Sequence, residues 1–278
     1  MDIKKIILVA VGVLILATAA FFAGRMSGER KESVPDRAII EKKQVVSPVA
    51  VTPEKEAFLA VVLDDFGYSI KNFSKIQDLG IPLTLAVLPG LRYSREACEM
   101  GIAKNLEIIL HLPMEPEAKT WAREKNTVMA GMGEVEVAAI LDESLGSLKG
   151  VSGVSNHMGS KATGDKKAAL ALMSSLKEKD LFFLDSYTTA RSVCQESAGV
   201  YNVRYFKRDI FIDNDLNKNS IKSRLMEAAD IALRKGSAIA IGHDKTETLD
   251  ALREVAPDLK NKGIRFVTLT KLGILTAK

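Results

Sequence analysis

From residue 56 onward, short apolar runs alternate with stretches whose apolar residues recur every three or four positions. Residues 58–63 form an unbroken apolar run that stops at Asp64-Asp65-Phe66-Gly67, the pattern of a strand buried on both faces that then meets a loop. Runs at 83–88, 106–110, 153–156, 181–184, 201–206, 210–212, 237–241 and 264–269 predict further strands. Helical spacing covers 69–78, 92–103, 134–148, 165–178 and 217–235. In 134–148 the apolar stripe is read as Val135, Ala138, Ala139, Leu141 and Leu145. Asp244 with Glu247 three residues on reads as a helix-capping pair. The long insertion 112–133, which contains Trp121, is expected to form a lid or substrate wall.

Buried strands alternating with helices predict an α/β fold with a mostly parallel sheet and right-handed crossovers. Seven or eight such units fit a (β/α) barrel somewhat shorter than a complete eightfold one, with a doubly wound open sheet as the alternative. The first strand is followed by no G-x-G-x-x-G or G-x-x-x-x-G-K-[ST], so a nucleotide-binding version lacks its phosphate loop.

Ahead of this body, residues 6–24 are uncharged and follow Lys4 and Lys5. Such a stretch nearly spans a hydrocarbon core of about 30 Å, and the lysines favour a cytoplasmic N-terminus. Residues 1–25 are therefore expected to anchor the chain in the inner membrane, with a cleaved signal peptide ending near residues 17–20 as the alternative. Residues 26–55, with Pro35, Pro48 and Pro53, read as a flexible linker, and 56–278 as the folded body.

The 278 residues are 47% hydrophobic and 27% charged, which excludes collagen-like, wholly disordered and disulfide-scaffold classes. The net charge of +4 is largely an N-terminal matter. The first 55 residues hold nine Lys/Arg against six Asp/Glu, leaving thirty against twenty-nine in the body. No concentrated basic stripe remains, so nucleic acid is not an expected partner. Cys98 and Cys194 allow one bridge at most.

The chain has three histidines, and each falls at or just past a predicted strand end: His111, His157 and His243. Asp64, Asp65 and Asp185 close two further strands. In parallel α/β folds these ends face one rim, where residues distant in sequence converge. Asp65, His111 and His157 offer one carboxylate oxygen and two imidazole nitrogens, a donor set suited to zinc or a similar divalent ion. In a regular strand Asp64 points away from Asp65, and so would lie beside the metal as general base. His243 would arrive from the opposite side as the acid for a leaving amine or alcohol. Asp185, Arg191, Arg208 and Asp209 are expected near the rim, contacting substrate, supporting the ligands or merely pairing with one another.

The blocks Leu63-Asp-Asp-Phe-Gly67, His111-Leu-Pro-Met-Glu-Pro116, Gly153-Val-Ser-Asn-His-Met-Gly-Ser160, Phe183-Leu-Asp-Ser186, Arg208-Asp209 and Ile241-Gly-His243 resemble the divergent polysaccharide deacetylases, relatives of the NodB-homology deacetylases. The resemblance covers roughly residues 56–275. It implies a distorted (β/α) barrel on the periplasmic side of the inner membrane and metal-dependent removal of acetyl groups from a polysaccharide or glycan. By position it makes Asp64 the base, Asp65 the metal aspartate, His111 the first metal histidine and His243 the late catalytic histidine. Better-known polysaccharide deacetylases carry a second histidine four residues after the first, where this chain has Glu115, and their Arg-x-Pro-x-Gly block is replaced by the segment with His157. His157 is therefore expected to supply the missing nitrogen ligand, with Glu115 as the rival. A catalytically idle barrel that binds glycan or protein in the envelope is the competing function.

Overall fold

The computed structural model describes residues 56–120 and 124–277. The expected anchor, the linker and Trp121 lie outside the described residues, among which no helix is long and apolar enough to cross a membrane. In chain order the elements are β1 (Ala57–Phe66), α1 (Phe73–Asp78), β2 (Thr84–Val87), α2 (Ser94–Ala103), β3 (Glu107–Met114) and α3 (Glu134–Gly146). Then come β4 (Val151–Met158), α4 (Lys166–Glu178), β5 (Phe182–Asp185), α5 (Cys194–Tyr201), β6 (Tyr205–Lys207) and β7 (Ile210–Phe211). The series ends with α6 (Lys218–Lys235), β8 (Ser237–His243), α7 (Thr246–Asn261), β9 (Ile264–Val267) and α8 (Leu269–Leu275).

Among the described residues the sheet has nine strands in the order β6-β5-β4-β3-β2-β1-β8-β7, with β9 against the start of β1. Every pairing is parallel. The expected α/β class and parallel sheet are present, with nine strands in place of seven or eight. The ladder has no pairing between β6 and β7, so the sheet curls into a half-barrel instead of closing. The crossing chain spans the gap: Arg208 N donates to Asp185 O (3.1 Å) and Asp209 N to Ile239 O (2.9 Å).

Strand alternation sorts side chains into two cores. Leu59, Val61 and Leu63 of β1 face the outer helices with Leu110, Leu112 and Val154. Ala60 and Val62 point inward with Ile109, Leu184, Phe206, Ile239 and Ile241, and Leu269 and Leu272 of α8 join that inner cluster. Continuing the inward series one step up each strand leads to Asp64, His111, Ser155, His157 and His243. The site is thus written into strand parity.

Several expected boundaries move. His111 and His157 lie within β3 and β4, because those strands run on and stay paired through Pro113↔His157 and Met114↔Met158. Tyr201 ends a helix instead of starting a strand, and Asn202 stops that helix in the left-handed conformation (φ 52°) that asparagine tolerates. Val135 is 85% exposed. The buried stripe of α3 is Val137, Leu141 and Ser144, spaced four and three residues apart on one helix face, and Gly133 N donates to Glu136 Oε2 (2.9 Å) in its first turn. Asp244 does not cap α7: the helix begins at Thr246 after Lys245 with no side-chain cap. Cys98 and Cys194 are both buried and free.

Candidate metal centre

The first strand ends in a distortion that shapes the site. Leu63 pairs with Leu85 and Phe66 with Val87, so Asp64 and Asp65 together stand opposite Ala86, a bulge. Asp65 adopts a left-handed backbone (φ 66°) and Gly67 a conformation at φ 123°. A Cβ on Gly67 would come within 2.8 Å of Ser94 Oγ. The regular strand assumed from sequence would have separated the two carboxylates. The bulge instead brings both to His111, with Asp64 Oδ2 at 3.6 Å and Asp65 Oδ1 at 3.3 Å from Nε2.

Asp65 Oδ1 also lies 3.0 Å from His157 Nδ1, and the two imidazoles meet edge to face at 5.0 Å. One donor atom each from Asp65, His111 and His157 lies within 4.8 Å of the others, an arrangement that could hold a metal ion. Their chemistry fits one. Asp65 Oδ1 is buried and close to two ring nitrogens, yet has no aligned hydrogen bond, as expected of atoms aimed at a common point and not at one another. Burial alone would raise the Asp65 carboxyl, but His111 and His157 overcome it and hold the group well below the usual carboxylate range. His111 Nδ1 is 2.8 Å from Ser155 Oγ, which fixes the ring with Nε2 inward.

Asp64 is almost completely buried, and its Oδ1 has no partner. Burial raises its carboxyl, against the opposing pull of His111. Across the opening, His243 Nε2 is 3.9 Å from Asp65 Oδ2. His243 Nδ1 lies 2.9 Å from Asp213 Oδ1, and that hydrogen bond raises the imidazole to about 9 despite partial burial. Asp213 Oδ2 also accepts from His243 N (2.6 Å) and Thr248 Oγ1 (2.8 Å). A Cβ on Gly242 would come within 3.2 Å of that same oxygen. Phe211 stacks on His243 at 6.3 Å, and the Arg208 guanidinium lies over the Phe211 ring at 3.8 Å.

The remaining expected residues divide. Glu115, the expected rival ligand, is not among the three residues whose donor atoms converge; its carboxylate accepts from Ala130 N (2.9 Å) and Lys161 Nζ (2.7 Å). Asp185 is fully buried, but it bonds Tyr187 N, Ser192 and Tyr205 on its own side of the sheet. Arg191 pairs with Glu117 at an exposed position. Asp209 bonds Lys235 and Ile239 N, near the start of β8 and away from the rim. Arg208 donates to the carbonyls of Ser186 and Tyr187 and supports the loop beyond β5.

Sequence reasoning missed Asp213, Ser155 and Glu124. Ser155 carried a usable signal, two residues before His157 on the same strand face. Asp213 carried one too, as the polar residue that ends the apolar run 210–212, although its partner lies thirty residues on. Glu124 sits in the insertion, with Oε1 3.6 Å from His157 Nε2.

Comparison with known proteins places this arrangement. Residues 61–273 match the family described as divergent polysaccharide deacetylase. The uncharacterized protein YibQ of Escherichia coli K12 is 33% identical over 201 residues, 72% of this chain and 63% of the relative. The match thus spans less than two thirds of that relative's length. An uncharacterized Haemophilus influenzae protein is 33% identical over 195 residues, covering 70% of this chain and 69% of its own. Among solved structures, an uncharacterized protein of Agrobacterium tumefaciens C58 shares the fold at a TM-score of 0.74 with 22% identity, over 78% of this chain and 89% of that one. The family match takes in every strand that carries Asp64, Asp65 and the three histidines: this chain belongs to the divergent polysaccharide deacetylases.

Proposed function

We propose that the protein is a metal-dependent hydrolase that removes acetyl groups from an envelope polysaccharide or glycan on the periplasmic side of the inner membrane. The observation that carries this reading is the convergence of Asp65, His111 and His157, flanked by a buried carboxylate on one side and a histidine–aspartate pair on the other. A divalent ion held by those three residues, zinc by the nitrogen-rich donor set, would supply Lewis acidity to the acyl oxygen and to the attacking water.

The chain's own residues then divide the proton work. Asp64, made more basic by burial, accepts the proton of the attacking water as its oxygen bonds to the acyl carbon. His243, protonated at neutral pH because Asp213 holds its pKa near 9, gives a proton to the leaving nitrogen or oxygen as the acyl bond breaks. Acetate and a free amine or hydroxyl result. Asp65 and His243 retain about a third of their side-chain exposure (33% and 31%), so a sugar chain lying across the rim can reach both. The periplasmic location rests on the uncharged segment 6–24, and the tether suits a substrate itself fixed in the envelope.

The test is metal analysis of the purified protein followed by acetate release from acetylated chitooligosaccharides and peptidoglycan fragments. Stoichiometric zinc with acetate release supports the proposal. Bound zinc with no acetate from any acetylated glycan would replace it with the idle, glycan-binding barrel.

A further inference from the structure

On the reading that Asp65, His111 and His157 hold a metal ion, we propose that Glu124 is a positioning residue that fixes the His157 proton on Nε2 and so presents Nδ1 to the ion. A neutral imidazole carries one ring proton, and the nitrogen that faces a cation must be the bare one. His157 turns Nδ1 toward Asp65 Oδ1 at 3.0 Å and Nε2, across the ring, toward Glu124 Oε1 at 3.6 Å. That separation is a few tenths of an ångström too long for a formed hydrogen bond. Both sides of the gap are nonetheless in need of a partner: His157 Nε2 and Glu124 Oε2 are each buried without a hydrogen bond. A small rotation of the carboxylate satisfies both at once.

The rest of the local structure holds Glu124 in place. Thr127 Oγ1 donates to its carbonyl at 2.6 Å. Val128, fully buried, exchanges backbone hydrogen bonds with Pro113 O and Glu115 N at the end of β3 (both 2.9 Å). Tyr68, on the loop that follows the Asp64-Asp65 bulge, reaches Glu124 Oε1 at 3.4 Å. The insertion thus delivers a carboxylate to the back of a ligand, where such a group orients the ring and increases its basicity.

The test is titration of the metal-free full chain with zinc alone, comparing wild type, Glu124→Leu and Glu124→Gln, with circular dichroism to check folding. Glu124→Leu is expected to weaken zinc binding about 10- to 100-fold, and Glu124→Gln, which keeps an acceptor oxygen, to recover most of the loss. Unchanged affinity in Glu124→Leu overturns the inference, as does a Gln variant as weak as Leu. Wild type that binds no zinc would instead bring down the metal site itself, so the two failures are distinct. A second readout does not depend on a variant's folding. Long-range proton–nitrogen spectra of the zinc-loaded wild type should show His157 Nε2 carrying a proton protected from solvent exchange. A bare or freely exchanging Nε2 contradicts the role.

Discussion

At the N-terminal end of the strands, the half-buried Glu107 carboxylate accepts from Thr84 Oγ1 (2.7 Å), Leu269 N (2.8 Å) and Thr270 N (3.0 Å). It satisfies the first amides of α8 while that helix plugs the inner core. At the C-terminal end the accounting is reversed. Of the seven buried side-chain atoms without a partner among the described residues, six belong to Asp64, Asp65, Glu124, His157, Ser186 and Asp244, all on or beyond the upper ends of strands or in the insertion over them. Even the cavity of about 660 Å³ at the lower end, beside Lys177, Asn202 and Arg204, has no buried orphan atom in its lining. One end spends its polar groups on holding the fold, and the other leaves them aimed at something yet to arrive.

Substitutions at the two ends should separate activity from stability. The largest effect is expected for Asp64→Asn, which should lower acetate release by about 10²- to 10⁴-fold, the usual contribution of a general base. Zinc content should stay at the wild-type level, as read by elemental analysis of the same sample. For metal retention, His157→Ala should empty the site while Glu115→Gln leaves it filled, since Glu115 is already engaged by Ala130 and Lys161. A filled His157→Ala protein would return Glu115 to candidacy.

The pH profile is the next test. Asp213 raises the folded-state pKa of His243 to about 9, above the ordinary value of about 6.5. The protonated acid is therefore present below that point, and activity should fall as pH rises through about 9. In Asp213→Asn the alkaline limb should move down toward neutrality. The same sign governs stability: the His243 contribution is complete below its unfolded pKa and disappears as pH rises through the folded value. An alkaline limb unmoved in Asp213→Asn would show that His243 is not the titrating acid.

The smallest effect belongs to the lower end. Glu107→Ala should cost about 1–3 kcal/mol through the amides it leaves unpaired, a fall in Tm of about 2–4 °C per kcal/mol for a body of this size. Zinc affinity and the pH profile should not change. Lost zinc binding in a folded Glu107→Ala protein would erase the distinction between the two ends.

How much of this was legible follows from which signals are local. Strand ends placed Asp65, His111, His157 and His243 on one rim, because buried parallel strands announce themselves as continuous apolar runs and the polar residue that ends a run stands out. The bulge at Asp64-Asp65 did not show, since one inserted residue changes backbone direction without changing the hydrophobic pattern. Nor did the limits of β3 and β4: Pro113 and Asn156 look like stop signals, and only pairing between the two strands carries them onward. Asp213 ends the apolar run 210–212 and so obeys the same rule, but its pairing with His243 forms only through the folded chain. Glu124 was invisible, because it meets His157 from an insertion with no periodicity. The pattern leaves a barrel and an open sheet as alternatives, because strand count alone does not say whether the first and last strands meet.

The most direct test of the metal centre is anomalous diffraction from crystals of the zinc-loaded protein. The account predicts a single strong peak within bonding distance of Asp65, His111 and His157, with Asp64 and His243 beside it and Glu115 still on Lys161. A peak that excludes His157, or one that draws Glu115 inward to take its place, would contradict it.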